Sequence, residues 1–302
     1  MSLLRFGRLT VEATHEDKIY FPKSKLTKGD LINYYRDIAP IMVTYMKDRP
    51  VNMHRFPDGI AGKDFYHKDV PDYFPSWIQT TKIKRIDVGG SITQVVCNNA
   101  ATLVYLANQA CITPHLWLSR IDKLHYPDRL IVDLDPPKNG FRLACRVAKQ
   151  LKDMFESGGM RPFVMTTGSK GLHVLVPLDR AATFDAARSF ARQLVEIVAA
   201  TDPKHITCEV RKEKRVGKLF LDVGRNAYAQ TAVSPYAVRA KEHAPIATPL
   251  HWEELDEKSI SPQKYTIANI FKRLERVGDP WKGMSRFASS ISKAHKKLDA
   301  LL

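Results

Sequence analysis

The chain has 302 residues, 44% of them hydrophobic and 26% charged, with a formal net charge of +15. That length buries a substantial core, as one large domain or a main domain with a lobe, and the composition is that of a soluble globular protein. The positive balance favours polyanionic partners such as nucleic acid, nucleotides or an anionic membrane surface, unless the protein is simply basic. Cys97, Cys111, Cys145 and Cys208 are scattered and form no C-x-x-C pair, which argues against a zinc site or a disulfide framework. No signal-peptide core and no bilayer-length apolar run is present, so a soluble intracellular protein is expected.

In chain order, residues 6–11 read as a strand. The polar turn Thr14-His15-Glu16-Asp17-Lys18 then enters the apolar run Ile19-Tyr20-Phe21-Pro22. Thr27 is a helix N-cap with Asp30 in the capping-box position. The helix continues through Leu31, Tyr34, Tyr35 and Ile38, an i, i+3, i+4, i+7 stripe, and Pro40 is expected to kink or interrupt it. Tyr34 and Tyr35 read as packing residues rather than base-stacking platforms. Lys18, Lys23, Lys25 and Lys28 crowd the segment before this helix. Helix N–H groups and ammonium ions there suit a phosphate, although a solvated basic loop fits equally well. Residues 51–59 read as a strand ending in a turn. In Asp64-Phe65-Tyr66-His67-Lys68, adjacent aromatics next to basic residues suit base stacking with backbone contact. Successive strand residues face opposite sides, however, so at least one of Phe65 and Tyr66 is expected in the core. A strand over 91–96, a buried helix over 98–108 and a strand over 113–117 follow. His115, in an apolar context, reads on its own as a core histidine.

The second half has a clearer grammar. Residues 130–135 form an apolar strand, stopped by Pro136 and Pro137, on which Asp133 and Asp135 face the same side. Carboxylates that close repel unless a cation lies between them or one is protonated, and oxygen ligands suit Mg²⁺ or Mn²⁺. The pair alone reads equally as a solvated turn. A helix over about 141–156 follows, with Leu143, Val147, Leu151 and Met154 as its apolar stripe and Gly158-Gly159 ending it. Next come a strand over 162–166, the turn Thr167-Gly168-Ser169-Lys170-Gly171 and a strand over 172–177. A helix over about 184–199 turns Phe184, Ala187, Phe190, Ala191, Leu194 and Val198 inward. After the basic loop 211–215, a strand over 218–222 carries Asp222. The order β-α-β-β-α-β is the split βαβ of ferredoxin-like and RNA-recognition (RRM) folds, in which the first and last of these strands are sheet neighbours. In the right register, Asp222 joins the face of Asp133 and Asp135. Helices over about 265–277 and 285–301 read as packing elements.

Three aspartates on one face hold two divalent ions in the arrangement used for in-line displacement at phosphorus. Such chemistry also needs cations and N–H donors around the phosphates. Thr167-Gly168-Ser169-Lys170-Gly171-Leu172-His173 supplies them, without the spacing of a Walker A loop. Arg225, Gln230 and Arg239 follow the third aspartate and either meet the phosphates or lie on the surface.

Taken together, Asp133-Leu134-Asp135, the 167–173 segment, Phe220-Leu221-Asp222 with Arg225, and Ser234-Pro235-Tyr236-Ala237-Val238-Arg239 closely resemble the polymerase domain of bacterial DNA ligase D, a member of the archaeo-eukaryotic primase superfamily. The resemblance extends to Asp17-Lys18-Ile19-Tyr20-Phe21-Pro22, Leu26-Thr27-Lys28-Gly29-Asp30, Arg49-Pro50-Val51 and Phe65-Tyr66-His67-Lys68, nearly the whole chain. It implies an α/β (α+β) fold, an RRM-like catalytic sheet (about 126–302) with an N-terminal α/β module (about 1–125) packed on it, as a single primase-polymerase domain. It also implies nucleotidyl transfer from an NTP or dNTP to a 3′-hydroxyl on a template, with two Mn²⁺ or Mg²⁺ ions, at gapped or broken DNA ends in non-homologous end joining. Asp133, Asp135 and Asp222 match the metal ligands. His115, Thr167, Ser169, Lys170, His173, Arg225, Gln230 and Arg239 match the nucleotide site. Lys18, Lys28 and His15 match the pocket for a downstream 5′-phosphate, and Phe65 and Tyr66 match an aromatic pair at the template. The sequence departs from the family pattern at Thr167, commonly Ser, at His15, commonly Asn, and at Tyr66, commonly Phe. No ligase Lys-x-Asp-Gly motif or nuclease region is present, so a stand-alone, cytoplasmic, nucleoid-associated polymerase is expected, with a Ku-like end binder and a separate ATP-dependent DNA ligase as partners. A de novo primase, a non-catalytic end-binding protein and a metal-dependent nuclease are the competing readings.

Overall fold

The computed structural model describes residues 1–85 and 89–299. The chain divides into two compact units. One comprises Met1–Asp122, Thr231–Ala247 and Thr266–Phe271; the other comprises Lys123–Gln230, Thr248–Tyr265 and Lys272–Leu302.

The first unit opens with a hairpin of β1 (Ser2–Phe6) and β2 (Leu9–Ala13), paired from Ser2↔Ala13 to Phe6↔Leu9. This corrects the strand expected over 6–11, because the chain reverses there. Gly7 takes φ +61°, which costs glycine nothing, and a two-residue loop at Gly7 and Arg8 joins the strands. β3 (Ile19–Phe21) and β4 (Leu26–Thr27) form a short ribbon leading into α1 (Lys28–Met46). The capping box forms as expected. Thr27 Oγ1 accepts the Asp30 N–H at 3.2 Å, and Asp30 Oδ2 accepts the Thr27 N–H at 2.7 Å.

Of the two outcomes expected at Pro40, interruption does not occur, and α1 runs through it. It lies on the exposed side of the helix with Arg36 and Asp37, where water can satisfy the carbonyl that loses its N–H partner. Tyr34 and Tyr35 are both buried. Their hydroxyls donate to the carbonyls of Tyr236 and Ile112, each at 2.7 Å, so they are core residues with satisfied polar tips.

The unit's main sheet contains β5 (Pro50–Arg55), β7 (Thr80–Lys84), β8 (Ser91–Val96) and the wholly buried β9 (Cys111–Trp117), in the order β9-β5-β8-β7. β6 (Phe65–His67) pairs with β5 off this path, and α2 (Ala100–Asn108), capped by Asn99, packs against α1.

The second unit runs β10 (Arg129–Asp135), α3 (Phe141–Ser157), β11 (Phe163–Thr166), β12 (Leu172–Pro177), α4 (Phe184–Thr201), β13 (Ile206–Thr207) and β14 (Leu219–Asp222). β15 (Thr231–Val233) then extends the first unit's sheet beside β9, and β16 (Thr248–Leu250) returns to the second. The second unit's sheet order is β13-β14-β10-β12-β11-β16. Its inner four strands, β14-β10-β12-β11, are mutually antiparallel and reproduce the split βαβ, with the first and last expected strands adjacent. β13 and β16 are short additions at the edges.

On α3 the buried side chains are Ala144, Cys145, Val147, Ala148, Leu151 and Phe155. Leu143 and Met154, expected inward, are half-buried margins of that seam. The helix presents its small residues inward, which a stripe chosen by hydrophobic size alone passes over. α4 buries all six residues expected of it. The tail contains α5 (Ile270–Val277) and α6 (Ile291–Asp299). The helix expected over 285–301 begins later, at Ile291, and its expected end at 301 lies outside the described residues. Among the described residues no helix is long and apolar enough to cross a membrane.

Candidate active site

The three aspartates meet because of register. β10 and β14 pair antiparallel with Asp133 opposite Asp222 and Asp135 opposite Phe220. Residues directly opposite in a sheet share a face, and Asp135 lies one pleat from Asp133 on that same face. Ligand atoms from Asp133, Asp135 and Asp222 lie within 4.8 Å of one another. Asp133 is buried, Asp222 half-buried and Asp135 exposed at the strand's end. Their surroundings are cationic. β12 places His173 opposite Asp133, with His173 Nε2 3.4 Å from Asp133 Oδ2, and Arg225 Nε lies 3.7 Å from the same oxygen. His173 is itself buried, and its Nδ1 has no hydrogen-bond partner among the described residues.

Although the residue as a whole is exposed, partial desolvation of its carboxyl within the cluster, and then the neighbouring Asp133 and Asp222 carboxylates, hold Asp135 above the usual carboxylate range, against the opposing pull of His173 and Arg225. Clustered carboxylates at a strand end, one of them resisting ionisation, form an oxygen donor set suited to hard divalent cations, whose charge relieves that repulsion. The donor set therefore fits Mg²⁺ or Mn²⁺.

The loop between β11 and β12 is built by Thr167. Its hydroxyl accepts the N–H groups of Ser169 at 3.3 Å and Gly171 at 3.2 Å, and it lies 3.2 Å from the Gly171 carbonyl, to which it can donate. The Thr167 side chain thus shapes the loop, while Ser169 is half-buried and Lys170 is exposed. Gly171 passes so close to β10 that an added Cβ would lie 1.8 Å from the Leu134 carbonyl oxygen. Only glycine fits there, and the contact ties the loop to the strand of the aspartates. Gln230 is exposed in the second unit.

The remaining candidates belong to the first unit. Lys18 and Lys28 approach each other at the start of α1. Lys28 is buried and donates to the Thr14 carbonyl at 2.7 Å, while Lys18 pairs with Asp58 at 2.7 Å. Burial, with a smaller push from the Lys18 ammonium, lowers the Lys28 pKa to about 8. The first helix amides are already engaged. Those of Lys28, Gly29 and Asp30 bond to Lys18 O, Glu16 O and Thr27 Oγ1. The expectation of helix N–H donors for a phosphate is therefore corrected, because the chain's own loop satisfies them and the ammonium groups are what remain. His15 is exposed with φ +53°.

Phe65 and Tyr66 are both exposed, at 44% and 53%, so the expectation that one is core is corrected. β6 pairs only with β5, and its side chains rest on polar β5 neighbours. Tyr66 stacks on the His54 ring at 4.1 Å and 14°, and the Arg55 guanidinium lies 5.6 Å from the Phe65 ring centre. His115 is buried on β9, with its ring edge-on to Tyr66 at 5.5 Å. Arg239 is half-buried, with its N–H bonded to Pro245 O.

Sequence reasoning passed over several residues that hold these groups in place. His54 and its partner Asp64, at 2.5 Å, support Tyr66. Gln263 donates to Ser169 O at 2.8 Å and ties down the loop tip. Asn226 is 1% exposed and bonds to the backbone of β10. Gln263 and Asn226 act across more than 90 residues of sequence, and no local motif marks any of these residues.

Comparison with known proteins places this site in a family context. The family profile described as LigD, primase-polymerase domain, matches residues 27–281. A bifunctional non-homologous end joining protein LigD of Bacillus subtilis is 32% identical over 273 residues, covering 90% of this chain and 43% of the relative. A multifunctional LigD of Mycolicibacterium smegmatis is 29% identical, covering 89% and 35%. The chain thus spans less than half the length of the curated relatives it matches. Among solved structures, the polymerase domain from Mycobacterium tuberculosis ligase D in complex with DNA superposes with a TM-score of 0.86 at 27% identity, over 92% of this chain and 99% of that one.

Proposed function

Because the chain belongs to the LigD primase-polymerase domain family, we propose that it is a nucleotidyltransferase, a template-dependent polymerase that fills gaps at DNA ends in non-homologous end joining and favours ribonucleotides. The observation that carries this reading is the register Asp133↔Asp222, which gathers three carboxylates on one sheet face within 4.8 Å. In the proposed mechanism Asp133, Asp135 and Asp222 hold two Mn²⁺ or Mg²⁺ ions. Ions held there would supply a lowered pKa for the primer 3′-hydroxyl and positive charge to offset the departing pyrophosphate.

The chain's own groups do the rest. Arg225 and His173 flank the acids and meet phosphate oxygens. Ser169 and Lys170 project from the loop that Thr167 shapes, and Gln230 adds a polar contact. His115 and Arg239 have the nucleotide-binding roles that the family pattern assigns them. Phe65 and Tyr66, exposed and supported from β5, stack against the template. Lys18 and Lys28, with His15, bind the 5′-phosphate of the downstream strand. The net charge of +15 draws the protein to DNA. A Ku-like end binder and an ATP-dependent ligase complete the repair, in the cytoplasm at the nucleoid.

The test is primer extension on gapped DNA with Mn²⁺ or Mg²⁺ and NTPs or dNTPs. Extension dictated by the template, abolished in Asp133→Ala with DNA binding retained, supports the reading. Dinucleotides made without a primer would point to priming, and shortened end-labelled DNA to a nuclease. A wild type that binds gapped DNA without extending it refutes catalysis.

A further inference from the structure

β14 ends at Asp222, and the chain then turns through the 3-10 segment Gly224–Asn226. β10 continues past that point. Continuing the register Asp133↔Asp222 by one rung brings Ile131 opposite position 224, which has already left the strand. The Ile131 N–H and C=O would lack their ladder partners there. Both are met by one side chain. The Ile131 N–H donates to Asn226 Oδ1 at 2.8 Å, and Asn226 Nδ2 donates back to Ile131 O at 2.6 Å. The same Nδ2 also donates to Val223 O at 2.9 Å, closing the turn that follows Asp222. Inside that turn the Gly224 N–H donates to Asp222 Oδ1 at 2.7 Å.

Asn226 is 1% exposed, so these bonds do not compete with water. A carboxamide alone among side chains of this length donates and accepts side by side as a peptide group does. Asp in its place would set a charge against the Ile131 carbonyl, and Leu would offer neither group.

We infer that Asn226 is a positioning residue: its side chain replaces the missing rung of the β10–β14 ladder and so fixes the spacing of the Asp133 and Asp222 carboxylates for divalent metal. The inference rests on the proposed role of those aspartates as metal ligands. Residues that orient ligands in this way typically change metal affinity by about 10–100-fold when replaced.

The test is Mn²⁺ binding to the full chain, measured by calorimetry without DNA or nucleotide, alongside thermal unfolding. Asn226→Leu keeps the volume and removes all three bonds. Asn226→Ser is the milder variant, used for the reading if Asn226→Leu does not fold. Tyr265→Phe is the control; it removes the hydrogen bond to Glu254 in the same unit, from a residue outside the β10–β14 ladder. The expected result is Mn²⁺ affinity weaker by about tenfold or more in the Asn226 variant, and unchanged affinity in Tyr265→Phe, although both lower Tm. A folded Asn226 variant that binds Mn²⁺ within twofold of wild type overturns the inference. Equal binding by wild type and Asp133→Asn would instead show that the aspartates are not the ligands, which separates failure of the underlying reading from failure of this one.

Discussion

The phosphate-binding role proposed for Lys28 carries a pH dependence whose sign and size follow from its lowered pKa. Burial, with Lys18 nearby, lowers the Lys28 pKa to about 8. In that role a 5′-phosphate, already close to dianionic at neutral pH, would bind the protonated ammonium. Between pH 7 and pH 9 the protonated fraction falls from about 0.9 to about 0.1, so the affinity gained from the phosphate should weaken by about tenfold. The assay is fluorescence anisotropy on gapped duplexes with a 5′-phosphate or a 5′-hydroxyl at both pH values. Lys28→Arg, which stays charged, should keep the preference at pH 9, and Lys28→Ala should lose it throughout. A preference of the same size at pH 7 and pH 9 in the wild type would refute the reasoning.

The same depressed pKa has a stability consequence of opposite sense. Between about 8 and the unfolded value of 10.5, the unfolded chain holds a proton that the fold lacks, so stability rises with pH across that window. Below it the buried ammonium costs the fold on the order of 1–3 kcal/mol. Lys28→Met should therefore raise Tm near pH 7 while abolishing phosphate preference.

Three further outcomes are expected. Asp222→Asn should abolish primer extension yet raise Tm in chelator, because it removes one of the carboxylates that crowd Asp135; a lower Tm in chelator would contradict this. Gly171→Ala should cost about 3 kcal/mol or more in denaturant unfolding, since its Cβ would meet the Leu134 carbonyl at 1.8 Å; a near-neutral result would mean that the loop does not press on β10. Burial pushes Glu254 up, but the Arg273 guanidinium outweighs it and holds the carboxyl below its usual range. Arg273→Met should therefore cost about 3–5 kcal/mol at neutral pH, with the difference from wild type shrinking as acid protonates Glu254. An unchanged midpoint in denaturant would contradict it.

The sheet of the second unit was legible because its strands are apolar runs bounded by glycine and proline and its helices have clean periodicity. β12 and six of the inward residues of α4, all but Val195, follow directly from that pattern. The edge strands β13 and β16 were not legible, since two or three residues carry no period. In the first unit, Gly7 was read within a strand and is its turn. Proline in a helical stripe signals a kink or a break, and the exposed position of Pro40 lets α1 continue without a break. Phe65 and Tyr66 were judged by alternation alone, which assumes a core on one face. β6 pairs with one neighbour and leaves both rings exposed.

At the site, the residue types of the acidic cluster were readable, and their convergence depended on a register that only coordinates supply. Thr167 illustrates the opposite limit. A hydroxyl in a glycine-rich loop suggests a phosphate contact, and its hydrogen bonds within the loop give it a second role, holding the turn together, that the motif does not reveal. Asn226 left no trace in the sequence because its partner, Ile131, is 95 residues away.

The most direct test of the metal-assisted account is anomalous diffraction from crystals of the protein soaked with Mn²⁺ and a non-hydrolysable NTP analogue. Two peaks about 3.5–4 Å apart, bounded by the carboxylates of Asp133, Asp135 and Asp222, are the predicted result. Ordered nucleotide with no anomalous signal at these three side chains, in a protein that extends primers in solution, would contradict it.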